Sequence, residues 1–414
     1  TEMIIAVFIL LLLLYCLVSC RLDRTVITAP ILFTTAGLLI CLLPPELSAL
    51  ELERKELLHI AEVGLVMLLF TDAAHINLGV LRGNRNLPVR LLSVGMLLTI
   101  LLGVVFALLI FDGMTPWEAG ILAAILAPTD AGLGQVIVNS PRVPLRIRQA
   151  LNVEAGVNDG LSVPFLMLFI ALAVGTNEGV GAVLTKFLKE QLAYGTLVGL
   201  AIGLCGGWLL GLATRRNWMA AERQTIGLVT LPLLCVLVSE AVGASMFIAA
   251  YVAGLAVQIG FAPAGKRAAE FAEDWGQLLN FFVFFLFGLF IGRVWSDFSQ
   301  SVLLYALLSL TVVRLVPVAL SLIGTALSRP TMLFMGWFGP RGLASIVLGL
   351  VYLEQQAQLP GESTIRLAVM ATVALSIFAH GLSALPGIDL YAHRLSLLHA
   401  GAAEFQTGEE NTIS

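Results

Sequence analysis

Apolar residues occur along the chain in long runs separated by short polar stretches. A helix needs about 20 apolar residues to cross the hydrocarbon core of a bilayer. Runs of that kind lie near 3–20, 26–44, 57–79, 88–112, 116–138, 148–175, 188–213, 224–239, 243–260, 270–293, 299–327, 333–354 and 363–385. The pattern predicts an all-α polytopic membrane protein of about 13 transmembrane helices, with "VSEAVGAS" separating the two short runs of 224–260. The first run lacks a basic stretch before it and a small-residue cleavage pattern, so it reads as a first transmembrane helix and not a signal peptide. The chain opens on Thr1, which points to a trimmed or replaced start. Residues 386–414 form a short tail of mixed character, too small for a regulatory domain.

Composition agrees. The chain is 58% hydrophobic and only 12% charged, with a mean hydropathy of +0.95. A soluble domain carries roughly 25% charged residues. The formal net charge of −4 is divided among many short loops and gives no surface for nucleic acid. Cys16, Cys20, Cys41, Cys205 and Cys235 fall in or beside apolar runs without a disulfide or metal spacing, and read as free thiols. Basic residues set the orientation. With the N-terminus outside, fifteen of them, among them Arg21, Arg90, Arg142, Arg146, Arg148, Arg216 and Arg329, fall on inner segments. Six fall outside, among them Arg54, Lys186 and Arg366. The asymmetry predicts an N-terminus outside and a C-terminus in the cytoplasm.

Two spans carry their own interruptions. "ILAPTDAGLG" puts Pro128 in the fifth span, and "GWFGPRGLAS" puts Pro340 in the twelfth. Proline inside a helix removes a hydrogen bond and clashes with the preceding turn. The two positions correspond if helices 1–6 (about 1–176) and 8–13 (about 224–385) are inverted repeats joined by a linking helix near 188–213. Matched interrupted spans are the sequence pointer to the binding site of an inverted-repeat transporter. Where two such helices cross, half-helix N-termini face each other and so do C-termini. Asp130 in one break suits the positive ends and Arg341 in the other suits the negative ends.

The remaining intramembrane charges divide by partner. Glu154 and Asn158 share a face of the sixth span, and Asp159 lies one step round. Arg314, in "TVVRLVPVAL" of the eleventh span, has no partner in its own helix, and Glu154 is the natural one. Asp159 is left without an arginine. A buried carboxylate needs compensation, and a proton or a metal cation supplies it in competition with the other. Asn158, Thr129 and backbone carbonyls near Pro128 offer neutral oxygens, the ligands a hard cation prefers. The expected binding group is therefore Asp159, Asn158, Thr129 and Asp130, with Asp159 and Thr129 holding the transported metal ion. No cofactor and no enzymatic activity are expected. Asp72 in "LLFTDAAHI" either lines the cytoplasmic funnel or sits near a helix end, and Glu62, lower in the same span, snorkels or lines an opening. His75 is read as a local hydrogen-bond partner, His380 as a polar packing residue and Glu240 as a helix-end acid. Glycines 195, 199, 203, 206 and 207 permit close helix packing, within the subunit or at a dimer contact.

Pro128-Thr129-Asp130, Glu154 with Asn158-Asp159-Gly160, Arg314 and Gly339-Pro340-Arg341-Gly342 resemble the monovalent cation:proton antiporter superfamily, in particular its NhaP-like branch of sodium/proton antiporters. "SEAVGASMFIAAYVAGLAV" and "FFVFFLFGLFIG" are similar to further spans of that family, so the likeness covers nearly the whole chain. The resemblance implies a homodimer in membrane lipid, a core domain that moves against a dimerisation domain, and exchange of protons for Na⁺, K⁺ or Li⁺ in pH and cation homeostasis. It places the family's ion-binding aspartate at Asp159, its asparagine at Asn158, and its glutamate–arginine pair at Glu154 and Arg314. An Asn-Asp pair implies electroneutral one-for-one exchange. Two positions depart from the family: Ala131 stands where a proline is frequent, and Ala155 stands where many members have a serine beside the ion. A potassium-selective exchanger therefore stays open beside a sodium one. An ion channel, an organic-anion transporter and an intramembrane aspartyl protease using Asp130 and Asp159 are the other classes. The absence of a selectivity-filter signature and of a Gly-x-Gly-Asp sequence weighs against the first and last, and the Asn158-Asp159 pair favours a cation over an anion.

Overall fold

The computed structural model of the chain describes residues 2–22, 25–41, 54–75, 86–175, 179–271, 277–354, 359–399 and 402–405. The described residues are helical: α1 Glu2–Leu22, α2 Ala29–Ile40, α3 Arg54–His75, α4 Asn86–Ile110, α5 Pro116–Leu126, α6 Ala131–Val138, α7 Leu145–Val174 and α8 Val180–Arg215. Then come α9 Ala221–Val242, α10 Met246–Gly260, α11 Ala264–Phe271, α12 Gln277–Val294, α13 Gln300–Leu310, α14 Val312–Ser321, α15 Arg329–Trp337, α16 Leu343–Glu354 and α17 Glu362–Leu395. Among the described residues eight helices are long and apolar enough to cross a membrane by length and composition, and several shorter apolar helices lie between them.

Local chemistry explains the boundaries. Thr115 caps α5 by accepting the Glu118 N–H, while the Glu118 carboxylate accepts the Thr115 N–H, and Pro116 follows as the first helical residue. "VSEAVGAS" becomes a helix end and a helix start: Gly243 takes a left-handed φ of 68° after α9, and Ser245 caps α10. The interruptions at Pro128 and Pro340 separate α5 from α6 and α15 from α16. The run at 299–327 is not one helix. It breaks at Thr311, with φ −107° and ψ −90°, so that Arg314 lies in the first turn of α14. The last helix continues to Leu395, ten residues beyond the predicted end at 385.

The helices pack in two groups. In one, α5 lies between α4 and α7, and α17 packs on α13 and α5. In the other, α10 runs along α8, α9 and α3; α2 and α12 run along each other and touch α17. The glycine stripe of α8 is used inside the subunit. A Cβ at Gly199, Gly203 or Gly207 would lie 2.4, 2.6 or 2.5 Å from the carbonyl oxygens of Ala249, Ala253 and Val257 on α10, and Gly206 faces Leu231 of α9. These glycines therefore let helices of one chain approach. Helix α1 is held to α2 and α12 by aromatic rings, Phe8 against Phe33, Phe282 and Phe285, and Tyr15 against Phe33 and Phe281.

At one end of the bundle arginines hold helix termini. Arg90 donates to the Ser321 and Ile323 carbonyls after α14 at 3.3 and 2.6 Å. Arg148 donates to the Val138 carbonyl that ends α6, and Arg142 pairs with Asp389 of α17. A cation at a helix C-terminus both satisfies unpaired carbonyls and opposes the helix dipole. The tail returns to this end. The Glu404 carboxylate accepts the Ser328 N–H and the Thr331 hydroxyl, each at 2.8 Å, and so caps α15. Arg146 donates to the Ala403 carbonyl.

Candidate functional site

The two interrupted spans meet at their breaks. The Asp130 N–H donates to the Pro340 carbonyl at 2.8 Å, joining one break to the other. The Asp130 carboxylate caps two helices at once: Oδ1 accepts the Leu133 N–H of α6 at 3.0 Å and Oδ2 accepts the Leu343 N–H of α16. Arg341, fully buried, donates from Nη1 to the Ala127 and Pro128 carbonyls at 2.8 and 2.9 Å, where α5 ends. Its own N–H donates to the Ser376 hydroxyl of α17. Negative charge thus faces two helix N-termini and positive charge faces a C-terminus, each sign opposing the local end of the helix dipole. Gly342 is required for this approach, because a Cβ there would lie 2.1 Å from Asp130 Oδ2.

Helix α7 passes beside the crossing. Arg314 Nη1 and Nη2 donate to Glu154 Oε1 and Oε2 at 2.5 and 3.0 Å, a two-pronged pair with both side chains buried. One turn on, the Asn158 amide donates to the Thr129 hydroxyl at 2.8 Å, linking α7 to the break after α5. Among the described residues, nothing donates a hydrogen bond to the buried Asn158 Oδ1 or Asp159 Oδ1. Both are oxygens with lone pairs facing a desolvated space, the kind of group that costs free energy unless something occupies it. A small cavity lies on the N-terminal side of Asp159, lined by Thr129, Asp130, Leu151, Glu154, Ala155 and Pro340 among others.

Asp72 belongs to this neighbourhood. It is three residues from the end of α3, half-buried, and within Coulombic reach of both Asp130 and Asp159. Its place near the helix end was legible in the sequence, but its proximity to α7 was not, because nothing local relates the third span to the sixth. Glu154 and Arg314 neutralise each other, and Asp130 and Arg341 serve the ends of the crossing. Among the described residues, Asp72 and Asp159 are the acids of this neighbourhood with no arginine of their own. His380 is buried, with Nδ1 within hydrogen-bond distance of the Ser376 hydroxyl and carbonyl, and its ring lies 5.0 Å from that of Trp337. Ser376 and His380 lie behind Arg341; His380 is the polar packing residue the sequence suggested, while Ser376, four residues before it on the same helix, was missed. Glu240 is exposed in the last turn of α9. The side chains of Glu62 and His75 lie outside the described residues.

The chain matches the family model described as "Sodium/hydrogen exchanger, transmembrane" over residues 7–386. It is 28% identical over 340 residues to the Na(+)/H(+) antiporter ApNhaP of Aphanothece halophytica, covering 78% of this chain and 63% of that one. It is 26% identical over 307 residues to the K(+)/H(+) antiporter NhaP2 of Shewanella oneidensis, covering 71% of this chain and 50% of that one. The chain spans 34, 38 and 63% of the length of three curated relatives it matches. The fold is similar to that of the sodium proton antiporter MjNhaP1 from Methanocaldococcus jannaschii, with a TM-score of 0.70, 20% identity, and coverage of 97% of this chain and 99% of that chain. With the family model matching nearly the whole chain, this integral membrane protein belongs to the sodium/hydrogen exchanger family.

Proposed function

We propose that the protein is a secondary antiporter that exchanges protons for a monovalent cation at Asp159 by alternating access. The observation that carries this reading is the pair of buried acceptors without a donor among the described residues, Asn158 Oδ1 and Asp159 Oδ1, the second on a carboxylate that has no arginine there. A proton neutralises that carboxylate, and so does a cation coordinated by oxygens, but the two together would leave excess positive charge in a desolvated site. Thr129 supplies a further oxygen, with its hydroxyl oriented by Asn158. Both Asp130 oxygens already accept backbone N–H groups, so Asp130 serves the crossing first and the ion through its remaining lone pairs. Glu154 and Arg314 are a scaffold pair, and Asp72 adds negative charge to the approach.

Exchange is electroneutral in this reading, because Asn158 leaves Asp159 as the one acid on α7 without a partner. Sodium is the leading cargo. Potassium is the second reading, favoured by Ala155, which brings no hydroxyl to the cavity, and by the match to a relative named for K(+)/H(+) antiport. The protein works as a homodimer in a bacterial inner membrane, N-terminus outside and C-terminus cytoplasmic, with the arginine-stapled end facing the cytoplasm.

Proteoliposomes with an internal pH-sensitive dye test the proposal, with Na⁺, K⁺ and Li⁺ compared and the membrane potential clamped or free. The wild type is expected to move protons against a cation gradient at a rate independent of potential. Asp159→Asn is expected to abolish this exchange. Exchange at the wild-type rate in Asp159→Asn would exclude the assigned site.

A further inference from the structure

Asn152, Gly156 and Gly160 recur every four residues and lie on one face of α7. Along that stripe the residues pass from exposed at Asn152, through half-buried at Gly156, to buried at Gly160. The space beside the stripe closes in the same direction. A Cβ added at Gly156 would meet nothing within 4 Å, whereas one added at Gly160 would lie 2.3 Å from ring carbons Cδ2 and Cε2 of Tyr251. The Tyr251 ring therefore sits in contact with the backbone of α7 at the residue following Asp159, on the side opposite the cavity. It is held there by the other helix group. Tyr251 is on α10, which packs along α8 and α3. Gly254, three residues further on, brings α10 against the Phe70 carbonyl and Ala73 of α3, and Gln258 donates to the Ala73 carbonyl at 3.1 Å. The ring thus has a fixed mount, and Tyr251 lies within Coulombic reach of both Asp72 and Asp159.

We propose that Tyr251 is the stopper of the exchange pathway and that α7 offers it two seats, Gly160 in the state seen here and Gly156 in the opposite-facing state. The proposal rests on the antiport reading and adds to it the residue that closes the path. Four residues of helix rise about 6 Å. A displacement of α7 by one such step along α10 would bring the second glycine under the ring, and a ring needs a glycine to lie this close. Asp159 lies between the two seats in sequence. With the ring on Gly160, the site communicates with the cavity on the N-terminal side of α7; with the ring on Gly156, Asp159 lies beyond the stopper and communicates with the other side. A step of about one turn between packed helices is a known form of switching motion.

The seats can be tested in proteoliposomes by following ²²Na⁺ and ⁸⁶Rb⁺ uptake together with proton flux. Gly156→Leu fills the empty seat, where an added Cβ meets nothing within 4 Å in the present state. It is expected to keep the wild-type melting temperature in detergent while slowing coupled exchange at least about 10-fold. Gly156→Ala, with a single added methyl, is expected to slow exchange less, which keeps the test open if the larger side chain disturbs insertion. Removing the ring in the same chain, as Gly156→Leu with Tyr251→Ala, is expected to restore cation flux. Tyr251→Ala alone is expected to leak cation at equal pH on both sides, and Tyr251→Phe, which keeps the ring, to remain tight. Exchange by Gly156→Leu at the wild-type rate, or a Tyr251→Ala variant that exchanges without leak, would overturn the two seats. Absence of coupled exchange in the wild type would instead overturn the antiport reading and the stopper with it.

Discussion

Removal of Arg314 gives the largest expected effect on stability. The side chain is 4% exposed, Glu154 is 2% exposed, and the two share hydrogen bonds of 2.5 and 3.0 Å. Arg314→Ala would leave the carboxylate buried opposite an apolar methyl. Breaking a buried pair in this way costs about 3–5 kcal/mol. Against a total of about 5–15 kcal/mol for a folded protein, that is a large share. The guanidinium also lies against Gly339, where an added Cβ would come within 2.4 Å of Arg314 Nε, so the change removes packing beneath the α15 break as well. Replacing both partners by apolar side chains, as Glu154→Leu with Arg314→Met, should recover most of the loss, because neither charge then remains unpaired. The assay is unfolding of the purified protein in detergent, followed by tryptophan fluorescence, for the two single variants and the double. The expected coupling is about 3 kcal/mol, the upper end for directly interacting residues. A cost below about 1 kcal/mol for Arg314→Ala, or a double variant as unstable as the sum of the singles, would refute the scaffold assignment. The folded double variant should also retain the wild-type cation concentration for half-maximal exchange, since the pair is assigned no contact with the ion.

Two further outcomes follow from the crossing and the tail. Gly342→Ala would push the Asp130 carboxylate off the Leu343 N–H, with an expected loss of about 2 kcal/mol or more in the same unfolding assay and loss of exchange in liposomes. Wild-type stability in that variant would contradict the close approach at the crossing. Burial alone would raise the Glu404 carboxyl, but hydrogen bonds from Ser328 and Thr331 outweigh it and hold the group below the ordinary glutamate range. A carboxylate lowered by folding stabilises the clasp above its unfolded value and loses that contribution as pH falls through its folded value. The protection of the Ser328 amide, the intrinsic exchange rate divided by the observed rate at each pH, should therefore fall on acidification. Glu404→Ala should remove this pH dependence and lower stability by about 1–2 kcal/mol, the usual worth of a helix cap.

Much of the architecture was legible because it is local. Pro128 and Pro340 each remove an N–H and crowd the preceding turn, but Pro164, Pro232 and Pro386 lie inside unbroken helices, so it was the glycines and charges beside Pro128 and Pro340 that made those two breaks legible. Those charges, Asp130 and Arg341, were legible as complements to helix ends. The break at Thr311 was not, because no glycine or proline stands at that position and Pro317 lies six residues further on, inside α14. The inner arginines were legible as a topological bias, but their partners, the carbonyls of Val138, Ser321, Ile323 and Ala403, belong to distant turns.

By itself, then, the sequence determined which segments are long and apolar enough to need a bilayer, where two of them are interrupted, and which buried charges need partners. Those properties follow from solvation and backbone sterics summed over a few residues. Only the tertiary structure decided which faces meet. It brought Asp72 into the field of Asp159, turned the glycines of α8 toward α10 and α9, and folded Glu404 back onto α15. It also laid Tyr251 against Gly160. An apolar helix can bury any of its sides in lipid or protein at similar cost. Small residues, close approaches and side-chain shape choose among those sides, and they act only when the whole bundle is assembled.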